Sequence, residues 1–226
     1  VNGATKTAQG PAEGAPALAG RARGGPAQEL ARRALDLLVG LAGSIITAPL
    51  VALAAIAIRA ETPGSPIYTQ RRIGKDGRPF AIYKLRTMVA GAESIGAGLA
   101  IQQGDERITR VGGVLRRYSL DELPNLWNVV RGEMSIVGPR PTLPWQVQRY
   151  SERQRGRLAV KPGITGWAQI HGRAALPWPA RIELDLWYVE HRSLALDLRI
   201  LAATVGLVLR GDGIYKGQTG GWRDPD

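Results

Sequence analysis

The chain has no cysteine and only two histidines, His171 and His191, among 226 residues. Disulfide frameworks, thiolate zinc sites, iron–sulfur ligation and cysteine nucleophiles are therefore excluded, as is a metal centre built from imidazoles. Acidic residues are also few: 19 Asp and Glu face 30 Lys and Arg, a formal net charge of +11. That excess points to an anionic partner, and nucleic acid, an acidic membrane surface and a phosphorylated small molecule all qualify. The length fits one domain with terminal extensions.

Large apolar side chains are almost missing between Val1 and Leu30, where Gly, Ala and Pro dominate. Such a segment buries too little surface to offset chain entropy, so residues 1–30 are expected to be a disordered tail. They also lack the apolar core and small-residue cleavage site of a secretory signal, so the hydrophobic stretch that follows is expected to stay in the mature chain.

Charge is absent from Leu37 to Ile58, where eleven of 22 residues are Leu, Ile or Val and no amphipathic period is visible. As a helix these residues reach about 33 Å, enough for a bilayer core of roughly 30 Å. Arg21, Arg23, Arg32 and Arg33 precede the stretch, and Arg59, Arg71, Arg72 and Lys75 follow it. Basic residues favour the cytoplasmic side, so a straight crossing would put one cluster on the wrong side. Pro49 removes a backbone hydrogen bond, and Ser44 and Thr47 can satisfy groups that a break would free. A hairpin entering and leaving by one leaflet explains the proline and both basic flanks, whereas a kinked single pass explains only the proline.

Within Tyr68–Met88, alternation of Phe80, Ile82 and Leu85 with polar residues suggests a strand or hairpin that carries Lys84 and Arg86. This reads as an anion site, a solvated basic face or a lipid headgroup contact. A more specific run is Arg116-Arg117-Tyr118-Ser119-Leu120-Asp121-Glu122-Leu123-Pro124. Ser119 and Glu122 have capping-box spacing, but Pro124 would then fall inside the helix, so a helix beginning at Pro124 is the easier arrangement. Adjacent ionised carboxylates repel unless cations are near; Arg116, Arg117, Arg140 and a divalent metal are the candidates. Mg²⁺ needs only one or two protein carboxylates when phosphate oxygens supply other ligands. Arg140 lies between Pro139 and Pro141, which hold a guanidinium on a stiff loop.

Lys161 to Arg173 gathers amides, a hydroxyl, Gln169, His171 and a guanidinium into thirteen residues. Near the C-terminus, the apolar run Ile200–Leu209 is too short to cross a bilayer. With Trp178, Trp187 and Tyr188 upstream, it reads either as interfacial helices or as helices packed on a core.

Taken in order, the proline-containing apolar segment, Tyr83-Lys84-Leu85-Arg86-Thr87-Met88, Ser119-Leu120-Asp121-Glu122-Leu123-Pro124, Gly132-Glu133-Met134-Ser135, Gly138-Pro139-Arg140-Pro141 and the Lys161–Arg173 stretch make the chain resemble the small monotopic phosphoglycosyl transferases. These are bacterial membrane enzymes that start lipid-linked glycan assembly. The resemblance covers Arg32 to about Arg210. It implies an α/β, mostly helical monotopic membrane protein with a re-entrant helix broken at Pro49 (residues 31–60), a cytoplasmic-face catalytic domain with interfacial helices and a small hairpin (61–210), and a C-terminal tail (211–226). A larger bifunctional relative would carry further spans before Arg32, and none is expected here.

The implied reaction moves a sugar-1-phosphate from a UDP-sugar to polyprenyl (undecaprenyl) phosphate at the bacterial inner membrane, releasing UMP. By resemblance Asp121 is the nucleophile, Glu122 binds Mg²⁺, and Lys84, Arg116, Arg140 and Arg173 engage phosphates; Arg86 and Gln169 are further substrate-binding candidates. The break in close relatives is often Ser-Pro, and here it is Ala48-Pro49. Membrane lipids are expected partners and a homodimer is compatible. Nucleic acid is not expected, because adjacent acids at the centre of a basic surface would weaken polyanion binding. A polytopic transferase is disfavoured by the single long apolar segment.

Overall fold

The structure, a computed structural model, describes residues 25–95, 105–172 and 176–210. Helix α1 (Pro26–Glu61) begins with a proline where the missing N–H costs nothing, and Thr62 closes it by donating its N–H to the Ile58 carbonyl. The helix thus starts before the expected tail boundary: residues 26–30 are helical, while 1–24 and 211–226, the two expected tails, lie outside the described residues.

Pro49 does not end the helix, which corrects the expected break. All 36 residues of α1 form one helix with Pro49 inside it. The proline removes one hydrogen bond, to the Ile45 carbonyl, and just before it the Thr47 hydroxyl donates to the Gly43 carbonyl at 2.7 Å. One lost bond is tolerated because the helix is held on both sides of the proline. Arg32, Asp36, Gly40, Ala54 and Ile58 are buried and Gly43, Thr47 and Val51 partly so, a stripe recurring every three or four residues. At Gly40 a Cβ would lie 3.2 Å from the Val130 side chain, so its absence lets the next layer approach closely. The opposite face is open: Ile45 is 73% exposed, Ile46 75% and Ile56 67%.

Strands β1 (Ile67–Ile73) and β2 (Pro79–Leu85) form the expected antiparallel hairpin, in register from Ile67 opposite Leu85 to Ile73 opposite Pro79. Its turn needs left-handed backbone at Asp76 (φ 56°) and Gly77 (φ 77°). On the far edge of β2, two asparagines of α3 (Asn125–Val130) replace a third strand: Asn125 accepts the Tyr83 N–H at 3.2 Å, and Asn128 donates to the Ala81 carbonyl at 2.7 Å. Three residues apart, they share a helix face, so α3 is fixed in register along β2. Helix α3 begins at Asn125 with Pro124 as its cap, one residue later than expected.

Helix α2 (Arg110–Arg117) precedes this region, capped by the Thr109 hydroxyl accepting from the Gly112 N–H at 2.9 Å. The end of α1 adds a second cap, since Glu61 accepts from the N–H groups of Arg110 (2.7 Å) and Val111 (3.0 Å). Ala54 and Ile58 of α1 then pack with Leu85 and Leu115, uniting α1, β2 and α2.

The remaining chain supplies a short parallel pair absent from the sequence expectations, β3 (Ser135–Val137) beside β4 (Gly163–Thr165), and helices α4 (Pro144–Gln148), α5 (Glu152–Arg155), α6 (Trp167–Ile170), α7 (Trp178–His191) and α8 (Leu194–Arg210). The main core joins Ile82, Val129, Ile136, Val160, Tyr188 and Ile200. Helix α8 packs on the core through the buried Ile200, the second of the two arrangements expected for the C-terminal run, while Leu198, Val205 and Leu209 are exposed. Its Asp197 is buried against Arg32 of α1 (2.7 Å) and the Tyr188 hydroxyl (2.7 Å).

Neighbouring glycines in α2 offer an internal comparison. At Gly112 a Cβ would lie 2.0 Å from the Thr87 carbonyl oxygen, whereas nothing lies within 4 Å at Gly113. Gly112→Ala is expected to cost about 1–3 kcal/mol through overpacking, and Gly113→Ala to be neutral or stabilising by up to about 1 kcal/mol. Thermal unfolding of the two variants in detergent checks this, and equal midpoints would contradict the close packing at Gly112.

Candidate active site

Chain reversal after α2 is made by Ser119, whose φ of 55° is a left-handed conformation uncommon for a residue with a Cβ. No side-chain cap accompanies it, so the Ser119/Glu122 capping box is not formed. The next three residues, Leu120–Glu122, form a single 3-10 turn between α2 and α3. Leu120 packs against the cluster that holds the end of α1, which anchors the turn and leaves Asp121 and Glu122 beside the hairpin.

Glu122 is tied on two sides: Oε1 accepts from Lys84 Nζ at 2.7 Å and from an Arg140 nitrogen at 2.6 Å, and Oε2 lies 3.4 Å from the other. Burial alone would raise its pKa, but Arg140 and Lys84 outweigh that and hold the carboxyl far below the ordinary carboxylate range. Asp121 is different. It makes no hydrogen bond through its carboxylate among the described residues. Burial pushes its pKa up and the Glu122 charge adds to this, against the opposing pull of Lys84, Arg116 and Arg140. Burial likewise lowers Lys84, partly offset by Glu122.

Arg140 reaches Glu122 from the loop after β3, whose backbone is pinned residue by residue. Gly138 donates to Thr165 (2.9 Å), Pro139 accepts from Gly163 (2.9 Å) and Thr142 accepts from Ile73 (2.9 Å). The Arg140 carbonyl accepts from Arg157 (3.0 Å) and the Pro141 carbonyl from Arg72 (3.0 Å). Arg116, in the last turn of α2, donates through Nε to the Thr87 hydroxyl at 2.7 Å and adds its charge near Asp121.

Lys84, Arg116, Asp121, Glu122 and Arg140 are thus brought together. Arg86 is placed elsewhere: its guanidinium donates to the carbonyls of Pro63 (2.7 Å) and Thr62 (2.8 Å) and to the Thr62 hydroxyl, clamping the exit of α1. Gln169 borders the Gly138 end of the arginine loop through Gly166, with both amide atoms buried and without a hydrogen-bond partner among the described residues. Arg173 lies outside the described residues.

Arg72 is the site residue that sequence reasoning missed. Burial, and next the nearby Arg140, bring its pKa down to about 10, which places a further cation at the edge of the carboxylate pair. Its signal is the pairing register, since Tyr68, opposite Lys84, shares a strand face with Arg72.

The family described as bacterial sugar transferase matches residues 27–211. The uncharacterized sugar transferase EpsL of Bacillus subtilis is 48% identical over 154 residues, 68% of this chain and 75% of its own length. The UDP-glucose:undecaprenyl-phosphate glucose-1-phosphate transferase of Caulobacter vibrioides is 41% identical over 204 residues, 85% of this chain and 76% of its own length. The UDP-galactose-lipid carrier transferase of Erwinia amylovora is 41% identical over 199 residues, 81% of this chain but only 41% of that longer protein. A match over nearly all described residues, at these identities, means that the chain belongs to the bacterial sugar transferase family and is a phosphoglycosyl transferase.

Proposed function

We propose that this chain transfers a sugar-1-phosphate from a UDP-sugar to undecaprenyl phosphate, releasing UMP, through an acyl phosphate that joins the phospho-sugar to Asp121. The observation that carries this reading is the contrast within the carboxylate pair. Glu122 is locked between two cations, while Asp121 keeps its oxygen lone pairs free in the same cationic surroundings. Neighbouring acids held in such different states suit different roles.

In the first step an Asp121 oxygen attacks the phosphorus bonded to the sugar, and the bond from that phosphorus to the UMP oxygen breaks with its electron pair leaving on UMP. In the second, an oxygen of undecaprenyl phosphate attacks the same phosphorus and the Asp121 carboxylate is released. Lys84, Arg116, Arg140 and Arg72 face the negative charge that redistributes over the phosphate oxygens. Arg140 is half-exposed and so free to exchange Glu122 for a phosphate.

No group of three or more metal-binding side chains occurs among the described residues. Mg²⁺ does not need one: the weakly engaged Oε2 of Glu122 fits a cation whose other ligands are water and diphosphate oxygens. Such an ion would neutralise phosphate charge.

For the membrane we propose a monotopic arrangement on the cytoplasmic face of the bacterial inner membrane. Its support is that both ends of α1 bond to one folded body, through Arg32 to Asp197 at one end and Glu61 to the start of α2 at the other. The exposed leucines and isoleucines between them would lie in a single leaflet.

Three outcomes are expected. Single cysteines at Ala34 and Ala60, exposed near the two ends of α1, should both react with an impermeant thiol reagent from the cytoplasmic side; labelling of one from the periplasm would mean a crossing. Chelation should abolish turnover and Mg²⁺ restore it, and Arg140→Lys should lower the rate on the order of 100-fold, because a point charge does not reproduce a planar fork. Full activity in excess chelator would remove the metal from this reading.

The decisive test offers UDP-glucose, UDP-galactose and UDP-N-acetylgalactosamine without lipid. One of them should release up to about one equivalent of UMP per enzyme and leave a sugar phosphate on the protein, as ping-pong chemistry requires. Undecaprenyl phosphate should discharge the adduct, and Asp121→Asn should abolish it and reduce turnover by about a thousandfold or more. An adduct mapped to another residue would overturn the assignment.

A further inference from the structure

Away from the carboxylate pair lies a buried ion pair that the reaction does not use. Arg157, in the 3-10 turn Gly156–Ala159, bonds to Asp185 of α7, and each side chain is only 3% exposed. Desolvating two charges in this way is expensive, and apolar replacements of such pairs are often neutral or stabilising, so stability alone does not explain the pair.

Its geometry suggests another role. One Arg157 nitrogen donates both to Asp185 and, at 3.0 Å, to the Arg140 carbonyl; the other donates to the Tyr150 hydroxyl. The guanidinium also lies 5.7 Å from the Tyr150 ring centre and 5.6 Å from that of Trp178, so its plane is confined by packing as well as by bonds. Arg140 has little comparable support of its own. Its side chain is 50% exposed, and among the described residues its guanidinium bonds only to Glu122. What aims it must therefore act through its backbone, where the prolines on either side leave few alternatives once the carbonyl is fixed.

We propose that Arg157 and Asp185 are positioning residues for Arg140: the buried pair holds the Arg140 carbonyl and so sets where its guanidinium meets Glu122 and the substrate phosphates. This rests on the role given to Arg140 under the proposed function. A pair that merely braces α7 against the rest of the core would act on activity independently of the Arg140 side chain, and that difference can be measured.

The test is a double-mutant cycle read by UMP release, using undecaprenyl phosphate and whichever of the three UDP-sugars turns over fastest. Arg157→Lys keeps a charge facing Asp185, but its nitrogen ends one bond short of the guanidinium nitrogen that serves both Asp185 and the Arg140 carbonyl, and it has no second nitrogen to lock onto Tyr150. It should lower kcat about 10- to 100-fold, the scale of a small misplacement of a catalytic group. In an Arg140→Ala background the same change should cost less than about twofold, because nothing remains to be aimed. Tyr150→Phe, which removes one bond to Arg157 and leaves the ion pair, should show a smaller loss, about threefold, that also vanishes in that background; it decides the matter if Arg157→Lys does not fold. Equal fold-losses in both backgrounds, or no loss from either variant, would overturn the positioning role alone. An Arg140→Ala enzyme as active as the native one would overturn it together with the role of Arg140 itself.

Discussion

Lys84 and Arg140 approach the Glu122 carboxylate from different parts of the chain, one from the second strand of a hairpin and the other from a proline-bounded loop. Lys84 and Glu122 are largely withdrawn from water, so each needs the other's charge, and the half-exposed Arg140 adds a second cation to the carboxylate. Much of the fold can be understood as what makes this meeting possible. Asn125 and Asn128 hold α3, and with it the turn carrying Glu122, against the free edge of β2, so that Lys84 is within reach. Pairing between β3 and β4 brings Gly163 under Pro139 and sets the start of the arginine loop.

The apolar helix belongs to the same network rather than being an appended anchor. At its start, Arg33 donates to the last carbonyls of α3, Val129 and Val130, at 2.7 Å each, where a cation is favourable. At its end, Glu61 caps α2 and Arg86 holds the chain that leaves the helix. Helices α2 and α3 flank the turn bearing Asp121, so both are braced by α1, one on either side of the reacting residues. Packing of α1 before Pro49, at Gly40 and Gly43, and after it, at Ala54 and Ile58, also explains how a proline can sit in the helix without ending it.

Elements with a strong local signal were legible in the sequence. Alternation of Phe80, Ile82 and Leu85 is the period of a strand, and Pro124 marks the start of a helix within one residue, with Asp121-Glu122 outside it. What was obscured depended on tertiary register. Lys84 and Arg86 are equally basic and two residues apart, yet β2 ends at Leu85, and beyond it the chain turns Arg86 onto Thr62. Arg71 and Arg72 are indistinguishable in a linear reading; only the pairing with β2 shows which one faces the site. Pro49 is the reverse case, because its local signal was read correctly as a lost hydrogen bond but the opposing contacts came from distant residues such as Leu85, Leu115 and Val130.

The distribution of charge around the pair bears on why the two acids can be adjacent at all. Alone, two neighbouring carboxylates would settle by one taking up a proton, and a protonated Asp121 would be a poor nucleophile. Glu122 escapes this because Lys84 and Arg140 satisfy it directly, which leaves Asp121 to feel those same cations, and Arg116, through space rather than through hydrogen bonds. Burial still leaves the Asp121 pKa raised, but a carboxylate that meets its cations only through space keeps its lone pairs available, whereas one held by direct bonds must give them up before reacting. Placing the strong contacts on Glu122 and the weaker field on Asp121 therefore separates holding the site together from doing chemistry in it, although the two residues are neighbours in the chain.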